Sequence, residues 1–494
     1  MTLQEDYPPR LLPEKYQTLK EQTIDWSIAN SLVIRPTAEV ALPQNISVIH
    51  APVALFPSPI PREAFEEAVN LQPIFNELYH KMSLDDAFIK STIQKVSEVD
   101  DFVKKLYDIY LKTKDKVQVS SNKLDSFFQQ HAFISAHKSD YLLHMDEGEV
   151  KSKILQVEFN TIAASFSSLS ALTGKLHKYL VESTGYFDAN ARINTESLPE
   201  NASLTSLPKG IAKAHELYGS SKAVVMMVVQ PGERNAFDQR WIEYNLLQNH
   251  KVHLIRKTLA EVSEEASVDP VTSSLTIAGK EISVVYYRAG YSPDDYPTEK
   301  QWEARLLIEK SKAIKCPTVA YQLVGAKKAQ QEIAKPGMIQ RYINDPIQVK
   351  KLYASFAELY PLDTTPEGEA AAKLALENPE RYVMKPQREG GGNNIYTKDI
   401  PPALARLSVS ERSSYILMEL IKPPPMKNTV LREGELISGP MASELGIYGI
   451  FIATQDGEVL VNEPAGHLLR TKSADMNEGG VATGFAVLDS PLLV

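Results

Sequence analysis

Three features of the sequence predict a mixed α/β fold in more than one domain. Short apolar runs alternate with helix-like stretches at 220–325, strand-like runs with turn signals dominate after residue 380, and helical spacing fills 63–118. At 494 residues the chain exceeds a single core of roughly 100–200 residues, so two or three domains are expected.

The elements follow in order. A proline-rich entry (Pro57, Pro59, Pro61) cannot lie inside a helix. The segment after it, REAFEEAVNLQPIFNELYHKM, spaces Phe65, Val69, Leu71, Ile74, Phe75 and Leu78 by about three and four residues, which predicts a helix. KILQVEFN (153–160) is short and β-branched, a strand, and TIAASFSSLSALTGKLHKYL after it carries small and apolar residues at helical spacing. AVVMMVVQPGERN, HKVHLIRKTL and ISVVYYRAGY alternate with stretches such as DQRWIEYNLLQN. That alternation predicts a doubly wound parallel layer, placed at 220–325 as a domain of its own. From 380, RYVMKPQ, SYILMELI, MASELGIYGIFIAT and GEVLVNEP read as a largely antiparallel sheet with a turn at Asp456-Gly457. No period of 20–50 residues repeats, which argues against a solenoid or propeller.

Composition narrows the function classes. Fifty-three Lys and Arg against 62 Asp and Glu give a net charge of −9, which does not advertise nucleic-acid binding. The single cysteine, Cys316, excludes an intrachain disulfide and a multi-cysteine zinc site, and a reducing compartment fits. The opening MTLQEDYPPRLLPEKYQ has no apolar core and does not read as a secretory signal. The longest apolar run, Ala223 to Val229, is far short of the roughly 20 residues of a membrane helix.

Several clusters carry candidate chemistry. Glu158 and Asn160 stand two apart in a strand and share a face, which offers oxygen donors to a hard cation such as Mg²⁺. A polar strand face meeting water is the alternative. Lys385-Pro386-Gln387-Arg388-Glu389-Gly390-Gly391-Gly392-Asn393-Asn394 joins a cation at a strand end to three glycines and two amides. It is neither a Walker A loop nor a Rossmann fingerprint, and a plain turn needs only one glycine, so a flap covering phosphates is expected. Arg470 and Lys472 are like charges at strand spacing that repel unless an anion lies between them, and EGGVATG (478–484) follows. Lys327 in GAKKAQQ adds a cation, although alone this segment would be a solvated helix face. There is no HExxH and no GxSxG; Ser165, Ser167, Ser168 and Ser170 form a Ser-rich helix start with no adjacent base, and Cys316 reads as a buried small hydrophobe.

KPQREGGGNN, QVEFNTIAASF, ERNAFDQR, YYRAGY, WEARLLIEKS, YILMELI, SELGIYG and LLRTK…EGGVATG together resemble the eukaryotic-type glutathione synthetases, from about residue 57 to the end. The resemblance implies an ATP-grasp-like antiparallel region holding ATP, with helical N-terminal segments and a smaller doubly wound parallel α/β domain for substrate. The division it suggests is 1–219, 220–325 and 326–494. It implies ATP-dependent ligation of γ-glutamylcysteine with glycine through an acyl phosphate, a Mg²⁺ requirement, a homodimer and a cytoplasmic location. Sister ligases taking β-alanine or serine, and a non-catalytic nucleotide-binding homologue, are the alternatives.

By the matching motifs, Glu158, Asn160 and Glu389 would hold the metal. Lys327, Lys385 and Lys472 would meet the phosphates, under Gly390, Gly391, Gly392, Asn393 and Asn394. Tyr396, Met418, Glu419, Leu420, Ile421, Glu444 and Glu478 would complete the nucleotide site. Arg470, Lys327 and Lys385 carry the catalytic charge in this reading. Peptide would lie against Lys138, Ile162, Ala163, Ala164, Ser165, Glu233, Arg234, Asn235 and Gln239. Arg288, Ala289, Gly290, Tyr291, Arg470, Val481 and Ala482 would complete its contacts. Two positions depart from the family pattern. Lys138 stands where the family has Arg, which costs a bidentate fork, and Glu478 stands where some relatives have Asp.

Overall fold

The computed structural model describes residues 7–37, 46–117, 132–146, 151–187, 193–389, 391–481 and 484–494. Helical spacing at 63–118 resolves into three helices, Arg62–Leu84, Asp86–Ser97 and Asp101–Val117. The first buries Phe65, Ala68, Leu71, Phe75, Leu78, Tyr79 and Met82, a stripe of one helical face. It ends at Asp85, whose carboxylate accepts from the Phe88 amide and so starts the second helix.

That stripe lies on a seven-stranded sheet. Its last four strands in spatial order are Val459–Ser473, Glu435–Thr454, Ala132–His144 and Lys153–Asn160, all antiparallel neighbours. The last has the bounds expected from the sequence. Alternation separates two chemistries along it. Phe159 stacks on Tyr79 at 4.0 Å between ring centres, beneath the helix. Its burial is worth roughly 1.5–3 kcal/mol, and it leaves Glu158 and Asn160 on the opposite face.

The parallel layer is present at 220–325. Val224–Val228, buried throughout, lies between the parallel strands Leu254–Lys257 and Lys280–Tyr287, with Ile314–Cys316 parallel beyond. An unbroken apolar strand suits a sheet covered on both faces. The structure departs from a purely parallel layer. Leu275–Ile277 and Ala266–Val268 extend it antiparallel, through a turn in which Ala278 and Gly279 both have positive φ. This is the two-residue hairpin geometry whose usual sequence is Asn-Gly.

The antiparallel character expected after 380 holds. Leu359–Pro361, Tyr415–Glu419, Tyr382–Pro386 and Ile395–Tyr396 form a four-stranded antiparallel sheet covered by the helix Pro366–Glu377. Cys316 is 1% exposed, and burial pushes its thiol up to about 12, as an inert core residue. Among the described residues no helix is long and apolar enough to cross a membrane.

Candidate functional site

Directly opposed residues of an antiparallel pair share a face, and register therefore builds the site. Asn160 opposes Lys138 and Glu158 opposes Asp140. Asp140 opposes Gly446, Glu444 opposes Arg470, and Ala442 opposes Lys472. One face of four strands therefore carries three carboxylates, three cations and an amide. This face floors a cavity of about 580 Å³. The four-stranded sheet adds Val383, Lys385, Tyr396 and Met418 to its wall, and the parallel layer adds Glu233, Asn235, Arg288 and Tyr291.

At the centre lies Lys327, 4% exposed, at the start of the helix Lys327–Ile333. Lys327, Lys328, Gln330 and Gln331 are all buried, so the segment is not the solvated helix face that its composition alone would give. The Lys327 Nζ lies 2.8 Å from Glu158 Oε2 and 3.0 Å from Glu389 Oε1. Burial alone would strip its proton, but the two carboxylates outweigh that and hold it charged. One ammonium cannot neutralise two carboxylates. Burial raises Glu389, whereas Glu158, despite its burial, is held well below the carboxylate range by Lys327 and Lys385. Lys385 donates to the Val157 carbonyl at 3.0 Å. The pairing with Ala132–His144 shifts register beside Val157, freeing that carbonyl from the ladder. Burial pushes Lys385 down to about 8.

Glu158, Glu389 and Asn160 line the same cavity and offer it oxygen atoms, the donor type a hard divalent cation takes. The amide nitrogen of Asn160 donates to Asp140 Oδ2 at 3.0 Å, which leaves its carbonyl oxygen as the acceptor. The residues fit Mg²⁺ by donor chemistry, with the Lys327 ammonium bridging the same two carboxylates.

On one side the cavity is apolar and slot-like. Leu155, Val383 and Met418 pack with Tyr396, Leu420 and Ile421. Above them the two glycine-rich segments touch: the Gly392 amide donates to Glu478 Oε2 at 2.7 Å. Gly391 and Gly392 have φ of 75° and 77°, a left-handed backbone that glycine adopts without the cost a side chain would add. Lys472 donates to the Asn477 carbonyl at 2.6 Å, tying the second segment to the sheet.

On the other side, Asp238 organises the wall. Its carboxylate accepts from the amides of Phe166, Ser168 and Leu169 at 2.9, 2.7 and 3.3 Å, and from Arg288 Nη1 at 2.9 Å. A carboxylate at the N-terminus of the helix Ser167–Thr184 satisfies orphan amides and opposes the dipole. The helix therefore starts at Ser167, within the serine-rich start expected from the sequence. Residues 162–165 are left as wall, with Ala163 at φ 54° and the Ser165 carbonyl accepting from Tyr448 Oη at 2.6 Å. Glu233 Oε1 accepts from the Asn235 amide at 2.7 Å.

Most of the residues singled out in the sequence line this one cavity. Gln239 lies behind the wall between Glu233 and Arg256, and Arg234 turns to the Arg35 carbonyl. Ala289 is buried, Gly290 gives its amide to Asp295, and Gly392 sits on Glu478 rather than in the wall. Gly390 and Ala482 lie outside the described residues. The sequence reading missed Asp140, Asp238, Tyr448 and Asn477. Asp140 stands two residues after Lys138, a spacing that signals a shared face. Asp238 and Tyr448 lie inside the quoted motifs ERNAFDQR and SELGIYG, and Asn477 directly precedes EGGVATG, but no spacing singles out their side chains.

The family model described as eukaryotic glutathione synthase, ATP binding domain, matches residues 13–493. The glutathione synthetase of Dictyostelium discoideum is 42% identical over 491 residues, covering 98% of this chain and 100% of the relative. That of Homo sapiens is 40% identical, covering 97% and 98%. A chloroplastic glutathione synthetase of Arabidopsis thaliana is 40% identical, covering 98% and 87%. A solved structure, a glutathione synthetase-like effector from Globodera pallida in its apo form, superposes with a TM-score of 0.76. It covers 98% of each chain at 23% identity, a likeness of fold.

Proposed function

This chain belongs to the eukaryotic glutathione synthase family, and from that premise we propose that it joins γ-glutamylcysteine to glycine at the expense of ATP. ATP binding and glutathione synthesis follow from the family; the individual step and the residues below are our reading. The observation that carries it is the Glu158–Lys327–Glu389 bridge between a sheet face of carboxylates and cations and an apolar slot.

The slot formed with Met418, Leu420, Ile421 and Tyr396 takes the adenine, and Lys327, Lys385 and Lys472 meet the phosphates. Mg²⁺ held by Glu158, Asn160 and Glu389 would neutralise phosphate oxygens during transfer. A carboxylate is a poor electrophile, so the glycyl-accepting carboxylate of the dipeptide attacks the γ-phosphorus, and ADP leaves. The buried cations offset the charge gathering on the transferred group. The glycine amine then attacks the acyl carbon, and phosphate leaves. Water would hydrolyse that acyl phosphate, and the meeting of the two glycine-rich segments supports their role in excluding it. The dipeptide lies toward Ser165, Glu233, Asn235, Arg288 and Tyr291. The unit at 220–325 binds substrate, 326–494 supplies most of the nucleotide site, and 1–219 completes the main body. A cytoplasmic homodimer completes the proposal.

The test is phosphate release, which should require both γ-glutamylcysteine and glycine. Release with either withheld, or none with both, would count against the assignment. Glu158→Gln and Glu389→Gln should each lower turnover by about 100-fold or more and weaken magnesium binding measured by calorimetry. Parent-like magnesium affinity in both variants would remove the metal assignment.

A further inference from the structure

Arg470 reaches across its neighbouring strand to a side chain on the strand beyond. It lies on Val459–Ser473, while Asp140 lies on Ala132–His144, and Glu435–Thr454 runs between them. Two strand spacings amount to about 10 Å, yet Arg470 Nη2 is 3.2 Å from Asp140 Oδ2. The middle strand permits this because Gly446 stands opposite Asp140. A Cβ there would lie 2.6 Å from Asp140 Oδ1 and 3.1 Å from Lys138 Cδ.

We propose that Asp140 is a positioning residue for the ligation, a buried carboxylate that fixes the directions of Lys138 and Arg470 in a niche opened by Gly446. This rests on the reading that these two cations hold the dipeptide. Asp140 is fully buried. Its Oδ1 accepts from Lys138 Nζ at 2.6 Å, and its Oδ2 accepts from Asn160 Nδ2 at 3.0 Å and from Arg470. Glu444 accepts from the same Arg470 nitrogen. Lysine and arginine have long flexible side chains, and a carboxylate touching both sets where their remaining donors point. The Asn160 amide is a third donor to the same carboxylate and holds it in place beneath the two cations.

A mere neutralising role makes the opposite prediction. If Asp140 only cancelled charge, its removal would free two cations and tighten binding of an anionic peptide. If it positions them, removal weakens peptide use.

Two variants of the full-length enzyme decide between these, with phosphate release measured at saturating ATP and glycine. Asp140→Asn removes the charge at constant shape, and Gly446→Ala keeps every charge but displaces the carboxylate. Both should lower kcat/KM for γ-glutamylcysteine by about 100-fold, mainly through KM. Affinity for a non-hydrolysable ATP analogue should stay within about threefold of the parent, a selectivity that general destabilisation would not produce. Unchanged or improved peptide kinetics in either folded variant overturns the proposal, as does an equal loss of ATP-analogue affinity. Should Asp140→Asn fail to fold, Gly446→Ala decides alone. A parent enzyme that releases no phosphate with both substrates present overturns the ligase reading itself, and this inference with it.

Discussion

Replacing Asp238 by Asn tests whether one carboxylate holds the substrate side together. The side chain is fully buried and meets donors on both oxygens. Oδ1 faces the Ser168 and Leu169 amides; Oδ2 faces the Phe166 amide and Arg288. An asparagine can present an acceptor to one set only, and its NH₂ must then confront donors of the other. Arg288 would also lose its charge partner while buried at 3% exposure, with its Nε already lacking a partner among the described residues. Burial acts to strip the Arg288 proton, yet Asp238 holds it charged, so the orphaned cation cannot neutralise itself cheaply. Breaking a buried pair from one side costs about 3–5 kcal/mol. Urea unfolding followed by circular dichroism should therefore show Asp238→Asn at least about 3 kcal/mol less stable. Adding Arg288→Met removes the orphan, so the double variant should recover about 1–2 kcal/mol relative to Asp238→Asn. A single variant within about 1 kcal/mol of the parent, or a double variant equal to the sum of the singles, would refute the reasoning.

Two further outcomes follow from particular contacts. Burial holds Lys385 near 8 in the free protein, and a bound phosphate should raise it again. At about pH 9 the free side chain is largely neutral, so binding an ATP analogue should take up nearly one proton; below about pH 7 it is already charged and uptake should vanish. Calorimetry in two buffers of different ionisation enthalpy reads this, and uptake that persists in Lys385→Met would contradict it. Gly325→Ala would place a Cβ 2.2 Å from Thr161 Oγ1, beside Asn160 and Lys327, and should cost about 1–3 kcal/mol in thermal or urea unfolding. Thr161→Ala should recover part of that loss, and no recovery would show that the clash is not the cause.

The fold was legible where local periodicity and burial agree. The strand Lys153–Asn160 is amphipathic in the simplest sense, with Phe159 beneath a helix and its neighbours in the cleft, so its type and bounds could be read directly. Val224–Val228 announces a doubly covered strand by being apolar throughout. The hairpin at Ala278-Gly279 was not legible, because alanine at a positive-φ position is not a turn signal and only the sheet around it enforces the conformation. The start of the helix among Ser165–Ser170 was legible in its serines, but its partner was not: Asp238 lies 70 residues away in sequence, and no local pattern encodes it.

The candidate site divides along the same line. Two-residue spacing placed Glu158 with Asn160 and Arg470 with Lys472 on shared faces, and both pairings hold because alternation is a property of the strand itself. What the spacing could not supply is register. Arg470 and Lys472 do need an anion between like charges, but the chain provides one in Glu444, directly opposite Arg470. Lys327 shows the limit most clearly. GAKKAQQ has the composition of a solvated helix face, and burying it is favourable only because Glu158 and Glu389 arrive from two other segments to meet the charge. Buried charge is a pairwise fact between distant positions. A single sequence therefore reveals which side chains could act, and the register of the sheet decides which of them share a cavity.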